Sequence, residues 1–467
     1  MTTETKYQRK ETPKIAIKEL GELLGERCSL DEEDLKKHGR DKSHLDAYNP
    51  DCVVYPKTTE EVVSVVKICD KYDVIMIPYG VGTSLEGHTT PIHGGIHIDM
   101  SLMNKILHCS LEDMDVTVQS GTLKNQLNSY LSKKGVFFAV DPGSNATIGG
   151  MCSTGASGTM TVKYGTIRDN VVNLTIVLAD GRILKTANRA KKSSSGYDLT
   201  HLILGSEGTL GIITEATVKI YRLPKAISSG ICCFPTVKDC TEAVTKIVQT
   251  SLGSLARCEY LNTAAITGVN KYFKSTFTEK PTLLLEFHGE TTKQVEQVKE
   301  KLVQIVEGHG SFGLSFTTDK EKRDKMWKIR HNVYYALINS RENCKLFASD
   351  VCVPISNLPK IILETEKEFK ERGVFCPIIG HVADGNFHVN APITDEETEL
   401  VEELNENLIE RAVKYEGTCS GEHGIGFGKI NSSLREHGEL FFEIEKKIKL
   451  AFDPKNLLNP GKVYKNL

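Results

Sequence analysis

Pro78-Tyr79-Gly80-Val81-Gly82-Thr83-Ser84-Leu85-Glu86-Gly87 follows directly on the apolar run Val74-Ile75-Met76-Ile77. The β-branching and length of that run predict a strand. The loop after it opens with G-x-G, the start of a dinucleotide fingerprint. That fingerprint requires a small third residue where helix and strand pack closely, and Leu85 stands there, so a nicotinamide site of the Rossmann type does not fit. A simple turn would account for this loop by itself, but it does not stand alone. Asp141-Pro142-Gly143-Ser144-Asn145-Ala146-Thr147-Ile148-Gly149-Gly150, Thr154-Gly155-Ala156-Ser157-Gly158 and Gly205-Ser206-Glu207-Gly208-Thr209-Leu210-Gly211 follow. Clustered glycines let backbone N–H groups converge on an anion without obstruction by side chains. Several such loops in one domain can enclose a long, pyrophosphate-bearing cofactor.

Around these loops the chain changes character. Residues 13–48 read as amphipathic helices leading to a strand at Asp51–Tyr55, and Thr58-Thr59-Glu60-Glu61 signals the start of a helix running through Cys69. Short strands are expected at Gly95–Asp99 and Asn173–Leu178. After Leu223-Pro224 the glycines thin out. Helical stretches at Asp239–Leu252, Thr291–Glu307 and Pro359–Arg372 flank strands such as Thr282–Phe287, the pattern of an α+β domain whose sheet is covered by helices. The glycine-rich style returns from about residue 416. The expected division is an N-terminal helical segment at 1–46, a cofactor domain at 47–224, a substrate or cap domain at 225–415 and a C-terminal segment at 416–467.

The loops P-Y-G-V-G-T-S-L (Pro78 to Leu85), D-P-G-S-N-A-T-I-G-G (Asp141 to Gly150) and G-S-E-G-T-L-G-I-I-T (Gly205 to Thr214) resemble the FAD-binding domain of the vanillyl-alcohol-oxidase, or PCMH-type, superfamily. T-G-A-S-G (Thr154 to Gly158), Y-G-T-I-R-D-N-V-V-N-L (Tyr164 to Leu174) and N-P-G-K (Asn459 to Lys462) are similar to FAD-dependent D-lactate dehydrogenases. The resemblance implies an α+β fold: an FAD domain of two α+β subdomains, a cap with a helix-covered antiparallel sheet, and a C-terminal segment returning to the flavin. It implies FAD contacts from Pro78, Tyr79, Gly80, Val81, Gly82, Thr83, Ser84 and Leu85 on the pyrophosphate. Asp141, Pro142, Gly143, Thr147, Ile148, Gly149, Gly150, Thr154, Gly155, Ala156, Ser157, Gly158, Glu207, Gly208, Gly211, Ile212, Ile213 and Asn459 would surround the rest. Some relatives attach flavin to a histidine near the first loop. His88 lies beyond that position, so non-covalent FAD is expected.

Ile378-Ile379-Gly380-His381-Val382-Ala383-Asp384-Gly385-Asn386-Phe387-His388-Val389-Asn390 reads as a β-hairpin. Asp-Gly favours a two-residue type I′ turn. That turn would set His381 directly opposite His388 with Cβ atoms about 5 Å apart, and Asn390 on the same face. Two histidines in a strand pair are more often structural than metal-binding, and a third ligand changes the balance. The segments G-H-x-x-D-G-N-x-H and G-E-H-G-I-G are similar to family segments carrying two histidine ligands, a glutamate ligand and a catalytic histidine. The resemblance implies His381, His388 and Glu422 as ligands of a divalent metal, zinc or manganese, and His423 as the base. It also implies Arg330, in Met326-Trp327-Lys328-Ile329-Arg330, as the arginine that binds the substrate carboxylate; Trp327 shares its helix face. Asn390 is a further candidate for a substrate contact.

What the resemblance implies chemically is oxidation of D-lactate to pyruvate. Hydride transfer to flavin requires the hydroxyl to lose a proton as the carbonyl forms. A metal on that oxygen stabilises the developing charge, and a histidine titrating near neutrality can accept the proton. The related D-2-hydroxyglutarate dehydrogenases place a lysine where this chain has Ala348, with Lys345 three residues away, so a short monocarboxylate is expected. Alternatives are glycolate, 2-hydroxybutyrate or 2-hydroxyglutarate as substrate, or a non-catalytic flavin-binding subunit of a larger complex. No Fe–S or haem ligation pattern is present. Electrons would leave to a cytochrome such as cytochrome c, an electron-transfer flavoprotein, a quinone or oxygen.

Composition narrows the classes further. The chain has 467 residues, a net charge of −3, 39% hydrophobic and 25% charged residues, which describe an ordinary globular protein of more than one domain. No basic stripe points to nucleic acid, and no apolar run reaches the roughly 20 residues of a transmembrane helix. Thirteen scattered cysteines with no C-x-x-C pair predict free thiols in a reducing compartment. Residues 1–14, with Glu4 and Glu11, do not make a recognisable mitochondrial presequence. Lys465-Asn466-Leu467 shares only its last residue with a peroxisomal signal. The family resemblance implies a mitochondrial location, with the cytoplasm as the alternative.

Overall fold

The structure is a computed structural model that describes residues 7–250 and 252–464; the readings at Glu4 and Lys465-Asn466-Leu467 lie outside them. The chain divides into two compact units. The first takes the chain up to Ala156, then Thr166–Arg222, then everything from Glu422 onward; the second takes Ser157–Gly165 and Leu223–Gly421.

Two sheets build the first unit. In the smaller one, Cys52–Val54, Ile96–Asp99 and Met76–Tyr79 run parallel, and Cys28–Ser29 pairs antiparallel at the edge. The larger is antiparallel, in the order Ile106–Ser110, Asp115–Gln119, Ile212–Lys219, Val171–Val177, Ile183–Lys185. The helix Thr59–Lys71 starts where the capping signal places it. The Thr58 hydroxyl accepts from Glu61 N at 3.2 Å, and Val62, Val65, Val66 and Cys69 form its buried face at helical spacing. The strand before the first glycine loop begins two residues later than the apolar run suggests and takes in Pro78. It is an edge strand, where the missing N–H costs no ladder bond.

The C-terminal helix Glu439–Phe452 is anchored by a buried charge. Lys449 Nζ donates to Asp453 Oδ2 at 2.6 Å and to the carbonyls of Thr209 and Leu458, both at 2.7 Å. Neither charged side chain is exposed to water. Asp453 also accepts from the backbone N–H groups of Leu457 and Leu458. The loop around residue 209 and the tail at 457–459 are thereby fastened to one another.

The second unit is built on an antiparallel sheet in the order Phe312–Thr317, Ala226–Cys233, Thr282–Gly289, Leu255–Leu261, Ile378–Gly380, Asn386–Ile393, Lys345–Ala348, with Val351–Cys352 also pairing to Asn386–Ile393. Helices Thr263–Phe273 and Val333–Ile338 cover part of one face through Ala265, Ile266, Val269, Ala336 and Leu337, packed with Leu261, Leu284 and Ile379. The same face carries charge elsewhere, with Arg257, Glu259, Glu286 and His288 all in the strands. Every residue of Thr282–Gly289 and Asn386–Ile393 is buried. Among the described residues no helix is long and apolar enough to cross a membrane, and all thirteen cysteines are free thiols.

Breaking the Lys449–Asp453 pair leaves a carboxylate buried without its cation, so Lys449→Met is expected to lower stability by about 3 kcal/mol. A shift in the urea-unfolding midpoint followed by tyrosine fluorescence checks this; an unchanged midpoint contradicts it.

Candidate functional site

The glycine loops of the first unit converge. Ser144 Oγ donates to Thr83 Oγ1 at 3.2 Å, and a β-carbon at Gly80 would lie 2.5 Å from Thr147 Oγ1. Gly208 faces the Pro78 ring and Gly155 faces Gly205 in the same way. Gly82 has φ +61°, and a β-carbon there would lie 2.2 Å from the Tyr79 hydroxyl, so a side chain at this turn would be strained and would displace Tyr79. Val81 and Gly143 are exposed, Gly143 with open space above it, and most of their loop neighbours are half-buried. This is a cradle of backbone with one open side, and it fits a pyrophosphate-bearing cofactor.

Several residues expected at the cofactor also hold the loops together. Ile148 N and Gly149 N donate to Thr122 O and Ser120 O. Ile212 and Ile213 are core residues of the larger sheet, buried in the first unit's interior. Asn459 Nδ2 donates to His88 O at 2.9 Å and to Glu207 O at 2.8 Å. The Glu207 carboxylate accepts from Ile425 N at 2.6 Å and Gly426 N at 2.8 Å, and so fixes the chain just beyond His423. His423 Nδ1 lies 3.7 Å from Glu86 Oε1, which also pairs with Lys429 at 3.2 Å.

His88 is buried between Glu207 (3.3 Å) and Asp41 (3.9 Å). Burial opposes its charge, but Glu207 and then Asp41 outweigh it and push its pKa up to about 10. The imidazole is thus committed to an ion-pair network.

In the second unit His381 and His388 share a sheet face, but not through the direct pairing that the Asp-Gly turn predicts. Ile379, not His381, pairs with His388. The expected two-residue turn is replaced by a longer connection with a 3₁₀ turn at Val382–Asp384, closed by Asp384 N to His381 O at 3.0 Å, and Gly385 at φ +81° ends it. The register therefore slips by two residues. Side chains alternate with a period of two, so His381 stays on the face of His388 as its diagonal neighbour. The rings meet edge to face with centroids 5.9 Å apart.

Hydrogen bonds set both tautomers. His381 Nδ1–H donates to Glu259 Oε1 at 2.7 Å, and His388 Nδ1–H donates to the Ser349 carbonyl at 3.1 Å. A carboxylate and a carbonyl can only accept, so Nδ1 carries a proton on each ring, and in the neutral imidazole Nε2 is then the lone-pair nitrogen, the arrangement a metal-binding imidazole requires. Ser420 Oγ donates to Asp350 Oδ2 at 3.0 Å, and Gly421, the last residue of this unit, lies so close that a β-carbon would be 2.0 Å from Asn386 Nδ2. Two imidazoles on one ion would leave positions open for further ligands.

Arg330, on the helix Lys320–His331, is buried and forms an ion pair with Glu259 Oε2 at 2.5 Å. Its Nε, and the Nδ2 of buried Asn390, are donors without a hydrogen-bond partner. Two unsatisfied buried donors on a polar sheet face suit an anionic oxygen ligand. Ala348 pairs with Asn390 on the neighbouring strand, while Lys345 lies on the opposite face and pairs with Asp395 at 3.0 Å. Glu259 carries no motif and escaped the sequence reading. The available signal was two charges, Arg257 and Glu259, at strand spacing inside an otherwise apolar run.

Comparisons with known proteins bear on the cofactor domain and the family. A family model described as FAD binding domain matches residues 50–187, and one described as FAD linked oxidases, C-terminal domain, matches residues 223–463. The chain is 43% identical to a probable mitochondrial D-lactate dehydrogenase of Danio rerio, over 92% of this chain and 87% of that one. It is 39% identical to the mitochondrial D-lactate dehydrogenase [cytochrome] of Arabidopsis thaliana, over 98% and 81%. Its fold matches p-cresol methylhydroxylase with a TM-score of 0.82 at 19% identity, covering 98% of each chain. Fold and loops together define a PCMH-type, FAD-binding flavoprotein. The chain belongs to the FAD-linked oxidase family and is an FAD-linked oxidoreductase.

The network around His88 has a pH consequence. Its pKa is raised from 6.5 to about 10, so its stabilising contribution is complete below 6.5 and is lost as pH rises through about 10. Thermal stability should fall over that interval, and the fall should shrink in His88→Gln; identical pH profiles for the two proteins would contradict the assignment.

Proposed function

We propose that this protein oxidises D-lactate to pyruvate, using non-covalently bound FAD and a divalent metal, zinc or manganese, held by His381, His388 and Glu422. The observation that carries this reading is the histidine pair in the second unit, with both Nδ1–H groups held by acceptors so that Nε2 is the nitrogen for a metal. The names of the relatives supply the substrate. FAD, held by the glycine loops, would supply the hydride acceptor for C2 of the substrate, and a metal held by His381, His388 and Glu422 would lower the cost of negative charge on the hydroxyl oxygen.

The remaining steps belong to the chain. Arg330 binds the substrate carboxylate, a use for its unsatisfied Nε. Asn390 gives a second donor from the same strand as His388. His423 takes the hydroxyl proton; Glu207 fixes its segment by accepting from the backbone two and three residues on. Ala348, paired with Asn390, brings no cation for a second carboxylate, which favours a short monocarboxylate. His88 is occupied between Asp41 and Glu207, which supports non-covalent flavin. In this reading Pro78–Leu85, Gly143 and the Gly208 turn touch the cofactor, and Glu207, Asn459, Ile212 and Ile213 shape the cradle behind it.

A cytochrome is the acceptor that the relatives' names favour, and their mitochondrial location is the one we carry over. An electron-transfer flavoprotein or a quinone would replace the cytochrome if it alone reoxidised the reduced protein. The test is anaerobic addition of D-lactate to the FAD-loaded protein. Bleaching of the flavin absorption is expected, with loss after chelation and return with zinc or manganese. His423→Ala should slow it by about 10²–10⁴-fold. A non-catalytic flavin subunit predicts no bleaching, and faster bleaching by glycolate or D-2-hydroxyglutarate than by D-lactate would reassign the substrate.

A further inference from the structure

Two cationic or hydrogen-bonding side chains in the second unit, His381 and Arg330, converge on one carboxylate of the polar sheet face, while Arg257 and His288 pair with Glu286. Glu259, in the strand Leu255–Leu261, has no exposure to water. Its two oxygens go to two different elements. Oε1 accepts from His381 Nδ1–H at 2.7 Å, just past the strand Ile378–Gly380, and Oε2 pairs with Arg330 Nη2 at 2.5 Å, on the helix Lys320–His331.

We propose that Glu259 is a positioning residue serving two sites at once: it orients His381 for the metal and Arg330 for the substrate carboxylate. This rests on the reading above of those two residues. The physical argument is economy of charge in a dry environment. A buried carboxylate needs compensation by hydrogen bonds and a cation, and Arg330 supplies the cation. The carboxylate in turn makes His381 the Nδ1–H tautomer and holds the ring's orientation. Occupying one edge of the guanidinium leaves the Nε donor as the part with no protein partner. Because one rigid carboxylate makes both contacts, moving it disturbs metal binding and substrate binding together. A merely structural ion pair would change stability and leave both affinities alone.

The test uses the FAD-loaded protein and two readouts: zinc affinity by competition with a chromophoric chelator in the absence of substrate, and KM and kcat for D-lactate. Glu259→Gln is expected to weaken zinc binding about 10- to 100-fold and to raise KM as well. Arg330→Lys keeps the positive charge beside Glu259 but removes the guanidinium fork; it should raise KM and leave zinc affinity unchanged. Glu259→Gln leaves Arg330 buried without its counter-ion and can fail to fold. Glu259→Gln/Arg330→Met removes both charges, and the weakened zinc binding should persist in it. Wild-type zinc affinity in that double variant, with His381→Ala having lost zinc, overturns the proposal and leaves the metal reading standing. Zinc bound equally by wild type, Glu259→Gln and His381→Ala overturns the metal reading and the proposal with it.

Discussion

A charge buried in a protein must be met by another charge or by several hydrogen bonds, because water is not there to solvate it. Glu259 states that constraint most sharply here. Fully buried in the middle of a sheet, it is held below the ordinary carboxylate pKa: burial pushes the other way, and His381 and Arg330 prevail. Those two residues therefore have little freedom to be elsewhere. Position, tautomer and side-chain orientation at the candidate metal ligand and at the candidate carboxylate binder follow from the compensation of one negative charge.

The first unit obeys the same rule with different residues. Glu207 is buried, at a positive φ rare for a non-glycine residue, and accepts two backbone N–H groups from Ile425 and Gly426 while facing His88. Lys449 and Asp453 form a second buried pair beneath the loop at Thr209. The glycine-rich loops are flexible by composition, and these ion pairs are what give them one arrangement. A backbone cradle for a cofactor needs this rigidity, since a loop ordered only on binding would charge its ordering entropy against affinity.

Much of this was legible in the sequence, and the failures are informative. The loops at 78–85, 141–150 and 205–211 were recognisable because glycine spacing reports where backbone must come close to something. The histidine pair was recognisable for a weaker reason. The expected type I′ turn at Asp384-Gly385 is wrong, since residues 382–384 coil into a 3₁₀ turn and His388 pairs with Ile379. The two histidines still share a face because the error was two residues, and a slip of one would have separated them. Turn length is decided by tertiary packing, here by Gly385 against the Val353 carbonyl, and no local pattern reveals it. Glu259 was missed for the complementary reason: a charged residue in a buried strand acquires its meaning from partners more than 70 positions away in the chain. Ile212, Ile213, Ile148 and Gly149 were readable as part of a loop motif, but not as residues whose own groups face inward.

In the function proposed above, His381 and His388 present Nε2 to one divalent ion, with a carboxylate completing the set. X-ray absorption at the zinc edge of the zinc-loaded protein tests it most directly. The proposed site predicts two imidazole nitrogens at about 2.0–2.1 Å with oxygen ligands besides, and no sulfur. A sulfur shell at about 2.3 Å, or a zinc ion ringed by oxygen alone, would contradict it.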